Sequence, residues 1–239
     1  MTPQINEIWV YLSASPLLGL TMTLLAYQGA FWLYQRSGMN PLANPVLIAV
    51  TVLVVFLTLT ATSYETYFAG AQFVHFLLGP ATVALAVPLY TQLRRVRAMV
   101  LPVLAGLAAG SLTAALSAIA VARLFGASLP TQLSLAPKSV TTPIAMGIAE
   151  RIGGIPSLTA VLVIITGIIG AVGARHVFDA MKLRDPAIRG FAIGVASHGI
   201  GTARAFQVSE QAGAFAALAM GLNGALTALL LPLVIGWLP

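Results

Sequence analysis

Two short stretches hold most of the reactive side chains. The first is Pro137-Lys138-Ser139-Val140-Thr141-Thr142-Pro143, an amine and three hydroxyls set between prolines. An ammonium group inside an apolar run costs at least about 2.5 kcal/mol unless it is satisfied. Thr142-Pro143 reads as a helix start, with Thr142 as N-cap and Pro143 as the first helical residue. Free N–H groups and the positive dipole end at such a start attract anions. With Lys138, Ser139, Thr141 and Thr142, this suits a small carboxylate. The competing reading has Lys138 snorkelling to the interface and Thr142 merely capping.

The second stretch is Ser197-His198-Gly199-Ile200-Gly201-Thr202-Ala203-Arg204. Gly199 and Gly201 permit unwound backbone that faces a ligand. Thr202 offers a hydroxyl, and His198 can exchange protons near neutral pH. Arg204 suits a carboxylate held by two parallel hydrogen bonds. Against this, a lone membrane histidine is often an interhelical hydrogen-bond partner, and Arg204 sits near the expected outer surface. A third group, His75 with Gly79-Pro80-Ala81-Thr82, repeats the pattern. Thr82 is expected at the same cavity, while His75 has no charged company and reads as structural.

Other chemistries find no support. With no cysteine, disulfides, Fe–S clusters and thiolate chemistry are excluded. There is no HExxH zinc site, GxSxG elbow or P-loop. No catalytic residue, metal site or resident cofactor is expected, and the chain does not read as an enzyme. No Asp or Glu lies deep in an apolar run, which weakens an antiporter built on buried carboxylates. A coupling ion remains open, as Na⁺ held by carbonyls and hydroxyls or H⁺ carried by His198. Glu150-Arg151 reads as a loop ion pair, and Asp185-Pro186 as a turn capping the helix from Ala187.

The elements that position these groups must lie in lipid. Of 239 residues, 59% are hydrophobic and 8% charged, against about 25% charged in soluble domains. Mean hydropathy is +0.94. No charge falls between Glu7 and Arg36, Arg36 and Glu65, Glu65 and Arg94, Arg97 and Arg123, Arg151 and Arg175, or after Glu210. Each gap is long enough for the roughly 20 apolar residues a bilayer core needs. The net charge of +6 reads as cytoplasmic loops rather than nucleic-acid binding. Glu7 and the long apolar stretch after it do not suit a cleavable signal peptide.

The fold class is therefore an all-α integral membrane protein, one membrane domain over 1–239, with seven or eight transmembrane segments. The segments are 8–34, 45–63, 67–93, 98–122, 124–149, 155–174, 188–207 and 212–238. Proline and glycine mark 67–93, 124–149 and 188–207 as broken or re-entrant. Placing Arg36, Arg94 to Arg97 and the Arg175–Arg189 loop in the cytoplasm closes the count at seven crossings if 124–149 is re-entrant. The matching His75 and His198 motifs suggest inverted repeats over 45–122 and 155–238. Gly106 and Gly110, and Gly167, Gly170 and Gly173, have the spacing of close helix packing.

At these residues the chain resembles the LrgB/CidB family. The likeness rests on Pro137 to Met146, Ile152-Gly153-Gly154-Ile155-Pro156, Leu158-Thr159-Ala160 and Ser197 to Ala205. Leu78 to Leu85, Gly213-Ala214, Leu218-Ala219-Met220 and Leu226-Thr227-Ala228 extend it from about Leu17 to Trp237. The family is described as antiholin-like, or as exporting murein hydrolases. Its plastid relatives are glycolate/glycerate translocators, and bacterial members are linked to pyruvate and similar acids. The resemblance implies a bacterial inner-membrane protein, a small LrgA/CidA-type membrane partner and an inverted-repeat transporter fold; a homodimer is the assembly such carriers favour. The expected function is secondary transport of small monocarboxylates such as glycolate, glycerate, lactate or pyruvate. The alternative is a holin/antiholin-like pore or membrane regulator of murein hydrolase export and lysis.

Overall fold

A computed structural model describes residues 16–40, 43–77, 80, 83–84 and 86–235. Among the described residues the regular structure is helical and no strand occurs, which suits backbone that must bond internally in lipid. Contacts divide the chain into two compact units, Met1–Ala84 and Leu85–Pro239.

In the first unit, α1 (Pro16–Arg36) packs on α2 (Pro45–Leu59) and α3 (Tyr64–Phe76). Asn44 starts α2, its Oδ1 accepting from the Val46 and Leu47 N–H groups at 2.9 and 3.2 Å. That satisfies two donors which a helix start leaves free. Thr23 Oγ1 and Tyr67 OH share a hydrogen bond of 2.7 Å between α1 and α3. The segment expected over 67–93 is broken: α3 ends at Phe76 and Leu77 is a turn, while Pro80, Val83 and Ala84 are helical and further helices run from Ala86 and from Leu93. Thr82 and Gly79 lie outside the described residues, as does the side chain of His75.

The second unit runs α4 (Ala86–Thr91), α5 (Leu93–Ala98), α6 (Val100–Leu124), α7 (Leu129–Leu135), α8 (Thr142–Ile152), α9 (Pro156–Ala180), α10 (Pro186–Val208) and α11 (Glu210–Ile235). Among the described residues four helices are long and apolar enough to cross a membrane: residues 17–36 of α1, then α6, α9 and α11. Leu101, Leu104 and Val121 on α6, and Val161 and Ile165 on α9, stay exposed, as lipid-facing side chains do.

Two segments of this unit turn back on themselves. The first lies within 129–155. Ser134 Oγ accepts from the Ile155 N–H at 2.8 Å, and Thr159 Oγ1 donates to the Ser134 carbonyl at 3.1 Å. The chain leaves Ser134, turns at 136–140, and returns along α8 to its starting point. Neither α7, with 7 residues, nor α8, with 11, has the length of a span at about 1.5 Å per residue.

The second is α10 itself. His198 sits at φ 42°, ψ −134° inside it, a region that only glycine visits freely. In a straight helix residues 189 and 204 would be about 22 Å apart; here Arg189 and Arg204 line one small pocket. Ile193 before the break packs with Ala205 after it, and a Cβ on Gly201 would lie 2.9 Å from the Ile193 carbonyl. The first arm runs parallel to α11, with Gly190 against the Ala212 backbone and Gly194 against that of Ala216. The second arm returns between their ends.

This geometry corrects the expectation that 188–207 crosses the membrane, and the seven-crossing count loses one member. It also moves Arg204 from the expected outer surface to the end that holds Arg175 and Arg189. The break falls on His198 rather than on Gly199 or Gly201, which are helical. Close backbone packing against α11 fixes where the first arm goes, and that is a nonlocal contact.

Candidate functional site

The tip of the first hairpin is built by Pro137, which interrupts the run from α7, and by Thr141, whose extended backbone (φ −62°, ψ 144°) starts α8. Thr141 is thus the N-cap, one residue before the expected Thr142, and its hydroxyl makes no capping bond. Pro143 falls in the first turn, where its missing N–H costs nothing. Between these fixed ends, Lys138 is half-buried. Its Nζ reaches Ser139 Oγ at 3.4 Å, a long and weak contact. Among the described residues no carboxylate lies within 4.0 Å of it.

Lys138 and Ser139 form part of the wall of a cavity of about 770 Å³. Gly106 and Gly110 of α6, Thr166 and Gly170 of α9, the first arm of α10 and Phe215 of α11 complete it. Ser197 closes the α10 side. Its hydroxyl is buried and has no hydrogen-bond partner among the described residues. Apart from Lys138, Ser139, Thr166 and Ser197, the wall is carbon: Val103, Ile169, Phe191 and Val195 are typical.

The tip is held in place by a side chain with no counterpart in the sequence reading. Asn223, 1% exposed in the middle of α11, donates through Nδ2 to the Ser139 carbonyl at 3.2 Å and to the Val195 carbonyl at 3.1 Å. One amide therefore joins the first tip to the first arm of α10. The signal that could have found it is a lone carboxamide in an apolar run, which must find partners inside the protein. Thr166 carried the same signal, a hydroxyl in the apolar stretch of α9.

The second tip is occupied differently. His198 is 4% exposed, and its Nε2 pairs with the Val163 carbonyl at 2.9 Å. A Cβ on Gly167 would lie 2.7 Å from the imidazole Cε1, and one on Gly170 would overlap Ser197 Oγ. Those two glycines perform the close packing their spacing suggested, whereas Gly173 faces nothing within 4 Å. Thr202 Oγ1 donates to the His198 carbonyl at 2.8 Å. His198, Gly199, Gly201, Thr202 and Arg204 do not line the cavity, nor do Thr141 and Thr142. Of the expected site, Lys138 and Ser139 come together on the wall; Thr82 lies outside the described residues.

At the base of the second hairpin, charged side chains fix the start of α10. Asp185 caps α10, accepting from the Ala187 N–H at 2.7 Å and the Ile188 N–H at 3.3 Å. It also pairs with Arg95 at 2.7 Å. Asp179 pairs with Arg189 and Arg175. The Glu150–Arg151 ion pair expected in the loop is absent among the described contacts.

Known proteins resemble this chain along most of its length. Residues 23–237 match the LrgB-like family. The Bacillus subtilis proteins YxaC and YwbG are 36% and 34% identical over 219 and 222 residues. Those alignments cover 92% and 93% of this chain, and 94% and 98% of the relatives. A Bacillus cereus protein named antiholin-like protein LrgB is 31% identical over 220 residues, 92% of this chain and 95% of its own. No solved structure matches.

Proposed function

We propose, from the premise that this chain belongs to the LrgB-like family, that it carries small monocarboxylates such as glycolate, glycerate, lactate or pyruvate across the bacterial inner membrane. The observation that carries this reading is Lys138: a half-buried cation with no carboxylate partner among the described residues, on the wall of a cavity large enough for a ligand. A lone ammonium in that setting is satisfied by an anion that arrives and leaves. Lys138 holds the carboxylate, and Ser139, Thr166 and Ser197 supply hydroxyls beside it. Thr141, Thr142, Thr202 and His198 act at most through the tips they support, and Arg204 stands at the base of the second hairpin.

The placement of the hairpins supports alternating access. The first closes at Ile155, the start of α9; the second closes beside Ala174 and Phe178, near the end of α9. The stretch of α9 from Ile155 to Ala174 and Phe178 separates the bases by ~30 Å, so the hairpins enter from opposite sides and meet at the cavity. In this reading the inverted pair is 129–155 and 186–208, in place of 45–122 and 155–238, within one membrane domain. Coupling to H⁺ or Na⁺, a homodimer and an LrgA/CidA-type membrane partner complete the proposal.

A second reading is favoured by a relative's printed name. The Bacillus cereus protein is called antiholin-like, which speaks for a pore or membrane regulator of murein hydrolase export more directly than any relative speaks for transport. Proteoliposomes separate the two. Saturable uptake and counterflow of labelled glycolate or pyruvate are expected of the carrier; discrete unitary conductances in planar bilayers without saturable uptake would overturn it.

A further inference from the structure

We infer that the base of the second hairpin holds the headgroup phosphate of an anionic phospholipid, between Arg175, Arg189 and Arg204. The inference stands apart from the carrier reading, because it concerns a second pocket on the other side of the first arm of α10. That arm turns Ile188, Phe191 and Val195 to the Lys138 cavity, and Gly190 and Ile193 to this pocket.

Three guanidinium groups reach the pocket from three pieces of chain. Arg175 comes from the last part of α9, Arg189 from the start of the first arm and Arg204 from the second arm. Only the reversal of α10 brings the last two together. Among the described residues the wall carries these three cations and no carboxylate. Asp179 pairs with Arg189 and, at 3.7 Å, with Arg175, but it does not line the pocket. Arg189 gives Asp179 and the Leu183 carbonyl two of its five N–H donors, and its guanidinium is set over the Phe178 ring at 5.7 Å. Arg204 donates to Gln207 Oε1 at 3.1 Å, a neutral acceptor. Like charges around one partly desolvated pocket repel, and an anion placed between them turns that repulsion into attraction. Arginine is suited to the task, since its fork takes two phosphate oxygens at once.

The surroundings point to a lipid as the source of the phosphate. The rest of the wall is apolar, with Ala171, Ala174, Phe178, Ile193 and Val208. Val208 and Val177 beside it are exposed, as side chains that meet acyl chains are. The volume, about 210 Å³, lies below the ~300 Å³ at which sites that enclose small molecules begin. It has room for a headgroup, with the chains lying outside. The same end carries Lys182, Arg184 and the arginines of α5, which Arg95 ties to Asp185. A basic surface next to membrane spans gathers anionic lipid, and a basic pocket between helices fixes one headgroup. Bound there, the phosphate joins α9 to both arms of α10 and closes the base of the hairpin.

The test uses the purified full-length protein, stripped of lipid in a neutral detergent. It is titrated with dioctanoyl phosphatidylglycerol, dioctanoyl phosphatidylcholine or inorganic phosphate, and the melting temperature is read. Phosphatidylglycerol should give a saturable rise at least about twice that from either other probe. Hydrogen exchange from Ala205 to Val208 should slow with it. Arg204→Gln and Arg175→Gln should each cut the rise by half or more. Arg175 is exposed, so its replacement leaves the core intact and decides the matter if Arg204→Gln does not fold. Arg97→Gln removes the same charge from α5 at the same end and should leave the rise unchanged. An equal loss in all three variants means diffuse surface charge and overturns the inference. A rise from phosphatidylcholine as large as that from phosphatidylglycerol overturns it too. A full rise from inorganic phosphate makes this a free-anion site and overturns the lipid assignment.

Discussion

The hairpin tipped by Lys138 and the hairpin tipped by His198 share a backbone plan and differ in what surrounds their tips. Each leaves one end of α9, breaks near the middle of the unit and returns. At the first tip the charged group faces a cavity, and among the described residues its hydrogen-bond partner is Ser139 Oγ, at 3.4 Å. At the second, the imidazole is 4% exposed and bonded to the Val163 carbonyl. The first tip leaves its polar group in a long, weak contact, while the second has bonded its polar group to the protein. Sequence motifs around both tips look equally functional, so a conspicuous membrane histidine is weak guidance until its partner is known.

The largest expected effect comes from the way the arms pack. Gly194 of the second hairpin meets the Ala216 backbone, which cannot rotate away. Gly194→Val should therefore cost about 3 kcal/mol or prevent folding. In the first hairpin, Gly147 on α8 has nothing within 4 Å of the position a Cβ would take. Gly147→Ala should stabilise by about 0.5–1 kcal/mol through helix propensity. Thermal unfolding in detergent reads both. A tolerated Gly194→Val would show that the second hairpin is not locked to α11.

Asn223 links the two regions, so it tests whether they are separate at all. Asn223→Leu leaves the Ser139 and Val195 carbonyls without their donor and should cost about 2 kcal/mol. Hydrogen exchange should quicken around Val140 and around Val195 together. Quickening on one side alone would mean that the amide supports one hairpin and does not couple them.

The tips themselves should respond in opposite ways. Lys138→Met should abolish carboxylate-induced thermal stabilisation while leaving the unliganded melting temperature unchanged or raised, since it removes a half-buried charge. His198→Ala should lower stability by about 1–2 kcal/mol through the lost Val163 bond and packing on Gly167. If His198→Ala removed ligand response without lowering stability, the contrast between the tips would collapse.

How much of this was legible in the sequence follows from the range of each interaction. Lys138 between prolines is a local pattern, and the sequence located both the break and its charge. The break in α10 was visible from Gly199, His198 and Gly201. Its sharpness was not, because the first arm is held by Gly190 and Gly194 against residues 22 positions further on. The cap of α8 slipped by one residue because Thr141 and Thr142 are equivalent candidates before Pro143. Asn223 escaped notice because its partners are 84 and 28 residues away. Ser197 was read only as part of its motif; that its hydroxyl abuts Gly170 emerges from the packing of α9 on α10.

The smallest predicted effect distinguishes the bases. The first closes through neutral bonds of Ser134, Ile155 and Thr159; the second is anchored at its start by Asp185. Burial works against the Asp185 charge, but the Ala187 and Ile188 N–H groups and the Arg95 guanidinium outweigh it and hold its carboxyl below the ordinary carboxylate range. A folded-state value below the unfolded one gives stability that is present above the unfolded value and is lost as pH falls through the folded one. The pair is 39% exposed on each side, so the contribution is only about 0.5 kcal/mol and shrinks with salt. Acidification from about pH 5 to about pH 3 should loosen the second base, seen as faster hydrogen exchange at Ala187 and Ile188 after correction for the intrinsic pH dependence. The Ile155 amide at the first base should show no such change, and Asp185→Asn should remove it at the second. Equal loosening at both bases would mean that acid acts on the unit as a whole.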